Sequence, residues 1–397
     1  MMKALNDNAH PLESLLQQHC PNGVEFKELG ELWEKAPKSK MGANQAKNLS
    51  KNNGNICFTS GETHYFIDDY LVDGEFLFLN DGGTADIKYN SGKAYYTDHI
   101  FAFTSQKICV KFLYYFLKDK QEAINKTCFQ GTGLKNLQKN KIEKFPIPLP
   151  PLEIQYKIVE ILDAFTELEA ELEAELEARL KQYHYYRNKL LSHDELENRT
   201  AKSRNDSDPT PIVPYVRLGE VCEKVFAGGD LPKEYSKDKK PSGEFLYPIY
   251  SNGSDENSLY GFSKTYRIDA EAVTISARGT IGFHTTREAK FTPIVRLITL
   301  IPNLNKITNK FLNYALYTTH IEKYGTSAGI PQLTIPMLEK ITIPLPPLSV
   351  QNEIVELLDK FDTLTNDLTS GIPAEIEARK KQYEYYRERL LSFIAKD

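Results

Sequence analysis

Apolar positions recur at spacings of three or four through one stretch of the chain: Ile154, Ile158, Leu162, Phe165, Leu168, Leu172, Leu176, Leu180 and Tyr183. That spacing predicts a helix over 152–192, where helix formers dominate and neither Gly nor Pro occurs. About 40 residues at 1.5 Å each span roughly 60 Å. Such a helix outruns one compact core and predicts a coiled-coil spacer. Elsewhere the pattern changes. Short apolar runs such as YFIDDYLV, EFLFLN, AVTISA and RLITLI, punctuated by Gly, Asn, Asp and Ser, predict strands and turns over about 20–145 and 210–341. One helix is expected in each block, over 111–126 and 309–325. Each block is therefore α+β. The polar stretch 193–209 predicts a linker.

The pattern repeats. IPLPPL stands at 147–152 and again at 343–348. Gln155, Ile158, Val159, Glu160, Leu162, Asp163 and Phe165 recur as Gln351, Ile354, Val355, Glu356, Leu358, Asp359 and Phe361. EARLKQYHYYRNKLLS (177–192) answers EARKKQYEYYRERLLS (377–392). Upstream, FKELGEL (26–32) parallels YVRLGEV (215–221), and GTGLKNLQKNKIEKF (131–145) parallels SAGIPQLTIPMLEKI (327–341). Between these flanks little is shared beyond a glycine turn, NDGGT (80–84) against SARGT (276–280). The plan is an internal duplication with variable blocks and near-constant helical segments. Its expected divisions are 1–146, 147–192, 193–209, 210–342 and 343–397. In the second helical segment Gly371 should end one helix and Pro373 should begin another, giving a jog. The Glu-Leu-Glu-Ala run at 167–179 is a good helix former. It also acts as a length adjuster, since each unit adds about 6 Å.

Composition narrows the function. The 397 residues carry 49 Lys+Arg and 54 Asp+Glu, a net charge of -5, which excludes a wholly basic nucleic-acid binder but permits local basic patches. The acid concentrates on the first helix, with 12 Asp+Glu against 5 Lys+Arg over 150–197. Five widely spaced cysteines without CxxC spacing argue against disulfides or zinc and point to a reducing cytoplasm. No apolar run reaches membrane-span length.

Catalytic constellations are sparse. Phe129-Gln130-Gly131-Thr132-Gly133 matches the F-x-G-x-G loop of many methyltransferases, but no [N/D/S]-P-P-[Y/F/W] motif follows. Asp269 with Glu288 and Lys290 has the loose spacing of a nuclease metal site, and the first block has no counterpart. No phosphate loop, nucleophile elbow or HExxH motif occurs. No metal ligand or catalytic residue is expected. A stand-alone nuclease or methyltransferase, and a purely structural coiled-coil adaptor, are the competing readings.

The ordered set of CPNGVEFKELGEL (20–32), LPPLEIQYKIVEILD, the Glu-Leu-Glu-Ala run and SGIPAEIEARKKQYEYYRERLL (370–391) resembles the specificity subunit of type I restriction-modification systems. The resemblance covers nearly the whole chain. It implies two globular α+β target-recognition domains alternating with two long helices that pack as an antiparallel coiled coil, in a pseudo-twofold repeat. It implies that each domain reads half of a split double-stranded DNA target. The helices would dock two modification subunits, which use S-adenosylmethionine to methylate adenine N6. Two restriction subunits using ATP and Mg²⁺ would complete a cleaving complex. Rigid helices can set two reading heads about one DNA turn, ~34 Å, or a multiple apart. Dissimilar heads predict an asymmetric target.

Base edges are read by Arg, Lys, Asn, Gln and Ser/Thr, usually from loops. The candidates in the first block are Lys38, Lys40, Asn44, Gln45, Lys47, Lys51, Lys88 and Tyr89. In the second they are Lys237, Lys239, Lys240, Ser251, Asn252, Arg278, Thr280 and Lys290. Tyr183, Tyr185, Tyr186 and Arg187, with their repeats Tyr383, Tyr385, Tyr386 and Arg387, are expected to serve helix packing or subunit docking.

Overall fold

The computed structural model describes residues 20–203, 213–325, 332–367 and 369–393. Two compact units emerge, one within Met1–Glu173 and Glu375–Asp397, the other within Ala174–Ala374.

The first unit holds two sheets. Glu34–Lys35, Ile100–Thr104, Glu75–Asn80 and Ile87–Ser91 pair antiparallel in that order. His64–Ile67, Asn55–Phe58 and Ala94–Tyr96 form the other, with its last pair parallel. The unbroken apolar run in Glu75–Asn80 follows from burial on both faces. Leu77 and Leu79 join the core under the helix Val110–Asp119. Phe78 points the other way, to Phe58 and Tyr96 at 4.6 and 5.5 Å between ring centroids.

The second unit repeats this plan. Cys222–Ala227, Leu297–Pro302, Ala272–Ser276 and His284–Arg287 form the antiparallel sheet. Tyr235–Ser236, Leu259–Ser263, Tyr247–Tyr250 and Thr292–Pro293 form the second, again closed by a parallel pair. Val273 and Ile275 pack with Phe311 and Leu312 of the helix Asn309–Leu316.

Short clips close each block. Phe26–Glu28 pairs with Pro146–Pro148, and Tyr215–Arg217 with Thr342–Pro344, so the start of each block meets its end at the proline-rich elbow.

The duplicated polar residues fix block to helix in the same way twice. Gln155 Oε1 accepts from Cys109 N at 2.8 Å while its Nε2 donates to Pro150 O. Gln351 Oε1 accepts from Thr308 N at 2.9 Å while its Nε2 donates to Pro346 O and Lys306 O. Asp163 accepts from Lys111 Nζ and Tyr115 OH, and Asp359 from Lys310 Nζ and Tyr314 OH. Burial, and then the adjacent carboxylate, push both phenols above the ordinary tyrosine range.

The first long helix runs Leu152–Leu190, and the second segment is two helices, Leu348–Asn366 and Ile372–Leu390. Each unit pairs part of the first helix with part of the second segment. In the first unit Phe165 stacks on Tyr386 at 5.4 Å, and Lys380 reaches Glu169 and Glu173 at 3.2 and 3.1 Å. In the second unit Phe361 stacks on Tyr186 at 5.5 Å, and Arg199 further along contacts Glu353. In the first unit, contact positions rise on one helix as they fall on the other, so that pair is antiparallel.

At the jog, Pro373 stands in the first turn of Ile372–Leu390 as expected, but the preceding helix ends at Asn366, before Gly371 is reached. Asp367 accepts from Thr369 N, Thr369 Oγ1 and Ser370 Oγ at 2.5–2.7 Å, bonds that pull its carboxyl down to about 2. A Cβ on Gly371 would lie 2.5–2.9 Å from the carbonyl oxygens of Thr363, Asp367 and Leu364. Gly371→Ala is therefore expected to cost about 1–3 kcal/mol through overpacking. Urea denaturation checks this, and an unchanged midpoint would remove the steric argument.

Three expectations need correction. Residues 111–126 are not one helix: Val110–Asp119 ends at Lys120, and Gln121–Cys128 begins anew. In 309–325 the helix ends at Leu316 and only a short 3₁₀ turn, Ile321–Tyr324, follows. There the Thr318 and Thr319 hydroxyls donate to Ala315 O and Leu316 O, taking the acceptors a continuing helix would use, and His320 turns left-handed at φ 49°. The expected linker begins with a helix, His193–Lys202, whose Leu196 and Thr200 are buried in the second unit. Residues 204–209 of that linker lie outside the described residues.

Candidate nucleic-acid interface

In each unit, separated stretches of chain meet at one rim of the paired sheets. In the first unit Asp98 N donates to Met41 O, Thr97 N to Phe58 O, and Asp81 N to His99 O, all at 2.8–2.9 Å. Leu137 N donates to Asp81 O, and Gly83 N to Lys135 O. Asn80 Nδ2 bridges Ser60 O and Thr84 O. Lys38, Lys40, Thr84, His99, Lys135 and Asn136 stand exposed along this rim.

The second unit builds the same rim. Ile294 N donates to Tyr250 O, Ala277 N to Arg296 O, and Leu333 N to Ala277 O, at 2.9 Å each. Asn252 Nδ2 donates to Arg278 O at 2.7 Å, and Thr280 Oγ1 to Asn252 O at 2.6 Å. Ser251, Asn252, Arg278 and Thr280, chosen from distant parts of the sequence, are thus brought together. Gly279 permits this approach, with φ 81° and the Asn252 amide 3.3 Å from where a Cβ would stand.

Other candidates lie elsewhere. Asn44, Gln45 and Lys47 are exposed on the short helix Ala43–Asn48, which buries Ala46 against the second sheet. Lys51 pairs with Asp68 at the end of that sheet remote from the 59–63 loop. Lys237, Lys239 and Lys240 are exposed beside the edge strand, with the Lys239 ammonium on Leu259 O.

Lys88 and Tyr89 are not loop residues, and strand alternation sends them to opposite faces. Lys88 braces the rim from below, donating to Thr59 O and Asn80 Oδ1 and pairing with Asp86 at 2.6 Å. Burial would raise the Asp86 carboxyl, but the Lys88 and Lys118 hydrogen bonds outweigh it and hold it below the ordinary range. Tyr89 packs on Tyr114 and donates to Glu75. Lys290 lies beyond Arg287, at the end of the sheet away from the 277–280 turn, over the Tyr266 ring.

Two cations escaped the sequence reading. Arg287 stacks 3.7 Å over Tyr250 and donates to Thr274 Oγ1 and Ser258 Oγ, a brace beneath the rim. Burial lowers its pKa. Arg296 is exposed at φ 70°, a conformation that costs a non-glycine residue on the order of 1 kcal/mol. His99 stands at the matching place before strand Ile100–Thr104. Only that position could have drawn attention to Arg296, and the surrounding sequences share too little to show it.

The catalytic alternatives gain nothing from the geometry. Asp269 accepts from Tyr266 OH at 3.2 Å, and among the described residues no three His, Cys, Asp or Glu side chains converge as metal ligands. Among them, too, no helix is long and apolar enough to cross a membrane. On the helices Tyr183 and Tyr186 face Phe361, and Tyr383 and Tyr386 face Phe165. Arg187 lies over Tyr183 and Tyr317, and Arg387 over Tyr383 with Asp119 at 3.2 Å. Tyr185 and Tyr385 are 60% and 52% exposed.

The family described as type I restriction modification DNA specificity domain matches residues 21–182 and 213–378. The chain belongs to this specificity family. A protein of Mycoplasma pneumoniae assigned as a type I specificity subunit is 36% identical over 345 residues, covering 83% of this chain and 96% of its own. One of Haemophilus influenzae is 33% identical over 411 residues, covering 98% and 100%. The crystal structure of the type I S subunit from M. genitalium shares the fold at 20% identity, with a TM-score of 0.61 and coverage of 98% and 97%. The two family matches each run from a globular block into its following helix. Packing divides the chain differently, because Ile372–Leu390 belongs with the first unit.

Proposed function

We propose that this member of the specificity family reads a two-part, asymmetric DNA sequence, one half with each rim. One observation carries the reading: the same hydrogen-bonded rim is built twice and displays different side chains each time. Lys38, Lys40, His99, Lys135 and Asn136 line the first rim, and Ser251, Asn252, Arg278, Thr280 and Arg296 the second. Direct readout depends on such donor and acceptor sets, so unlike sets on like scaffolds call for unlike half-sites.

The chain supplies recognition, and partner subunits supply chemistry. Two modification subunits would bind S-adenosylmethionine and methylate adenine N6, which requires the base to leave the stack. Two restriction subunits would bring ATP and Mg²⁺. Tyr185 and Tyr385, exposed beside more buried tyrosines, offer aromatic anchors for the modification subunits.

Expressing the chain with its modification subunit, and that subunit alone, then mapping N6-methyladenine across the host genome, tests the reading. A split asymmetric motif should appear only when the chain is present. A stable complex that leaves no motif would favour the adaptor reading. Among the described residues, the side chains of Arg278 and Arg296 make no hydrogen bond or ion pair. Arg278→Ala or Arg296→Ala should each cost about 1–3 kcal/mol of discrimination and relax one half of the motif while sparing the other. An unchanged motif in the double variant would remove both residues from base reading.

A further inference from the structure

The hairpin at the first rim carries an apolar tip. Phe129–Gln130 pairs with Asn136–Leu137, and the loop between them, 131–135, carries Leu134, which is 71% exposed. Its neighbours on the rim are polar: Thr132, Lys135 and Asn136 are all exposed. A single exposed leucine is ordinarily unremarkable. Three further observations set this one apart.

The loop is built to hold its shape. Gly131 has φ 154°, and a Cβ there would meet Leu134 O at 2.4 Å, so only glycine closes this turn. The loop is also tied to the glycine turn, because Gly83 N donates to Lys135 O at 2.8 Å and Leu137 N to Asp81 O at 3.0 Å. Leu134 Cδ2 sits 3.9 Å from the Cβ position of Gly82. Finally, the duplicated sequence keeps a glycine followed by an aliphatic residue here, while the polar residues on either side change. In SAGIPQL (327–333), Ile330 stands where GTGLKNL (131–137) has Leu134, although Thr132 becomes Ala328 and Lys135 becomes Pro331. Ile330 lies outside the described residues.

We infer that Leu134 is a wedge that enters a base step of the first half-site and opens the stack there. The inference rests on the proposed DNA reading and deepens it. An aliphatic side chain on a braced tip, flanked by Lys135 and polar side chains, matches the way apolar wedges kink or unstack duplexes. Opening the step lowers the work of extruding the adenine, which the methyltransferase must do before it can act. Leu134 is a positioning residue: it acts on the stack, and the partner acts on the base.

The test uses the complete complex of this chain with its modification subunits. The duplex carries 2-aminopurine in place of the target adenine of one half-site or the other. The parent complex should raise the fluorescence at both. Leu134→Ala should abolish most of that rise at one half-site and slow methylation there about tenfold or more, leaving the other half-site and the affinity nearly unchanged. Leu134→Phe should restore the signal. Undiminished fluorescence and rate at both half-sites would overturn the wedge while the motif itself stands. So would a loss confined to affinity that vanishes when the site's thymines are replaced by uracil, which would mark a methyl contact instead. A parent complex without sequence-selective binding would overturn both the wedge and the reading beneath it.

Discussion

A chain ended after Ser370 should lose the fold of its first unit, although every residue from 20 to 173 is still present. The helix Ile372–Leu390 belongs to that unit. Leu390 and Leu391 are fully part of its core, and Tyr383, Tyr386 and Phe393 pack against the same cluster. Burying the two leucines alone contributes about 3–6 kcal/mol, a large share of the roughly 5–15 kcal/mol that holds a domain together. Removing the helix also uncovers Phe165 and strips Asp119 of Arg387. The Lys380 contacts with Glu169 and Glu173 are largely exposed, so their loss adds little. Hydrogen exchange checks the result. Protection should collapse in Val110–Asp119 and along 152–173, and persist in Asn309–Leu316 and Ala272–Ser276. Equal protection in both units would show that the first unit stands without its returning helix.

Gln351→Ala should be among the most damaging single polar substitutions in the second unit. The side chain is wholly buried and serves three backbone groups at once, the Thr308 amide and the carbonyls of Lys306 and Pro346. Truncation leaves those groups without that side-chain partner. At about 1–3 kcal/mol for each unsatisfied group, tempered by relaxation, the expected loss is about 3–5 kcal/mol. Gln155 serves two groups in the first unit, so Gln155→Ala should cost less, about 2–3 kcal/mol. Chemical denaturation followed separately in each unit measures both. A loss below about 1 kcal/mol for Gln351→Ala would mean that water replaces the bracket.

Much of this architecture could be read from the residues because its signals are local. The three-and-four spacing from Ile154 to Tyr183 marks a helix wherever it packs, and the Gly371–Pro373 pair marks its interruption. Duplication extended that reach: Gln155 and Asp163 stood out because Gln351 and Asp359 repeat them. What stayed hidden depends on contacts between distant stretches. Leu196 makes His193–Lys202 a docked helix only because the second core receives it, and its polar neighbours gave the opposite impression. Lys88 and Tyr89 were adjacent candidates until strand alternation separated them. Arg296 was invisible because its position is defined by Ala277, nineteen residues away in sequence, and by a backbone angle that composition does not encode. The rim candidates Ser251, Asn252, Arg278 and Thr280 were legible as polar turn residues, whereas their convergence was not.

The returning helix also sets an order on biosynthesis. The second unit is drawn from one uninterrupted span, Ala174–Ala374, and can complete itself as that span leaves the ribosome. The first unit, although made earlier, lacks its partner helix until residues beyond 374 emerge. At roughly 5–20 residues per second, that wait lasts on the order of 10–40 s. Throughout it, the faces of Phe165 and Phe112 that later receive Tyr386 and Phe393 stand uncovered. The nascent chain is therefore most vulnerable to aggregation in its N-terminal half, and a chaperone acting there would be needed longest for the part that was made first.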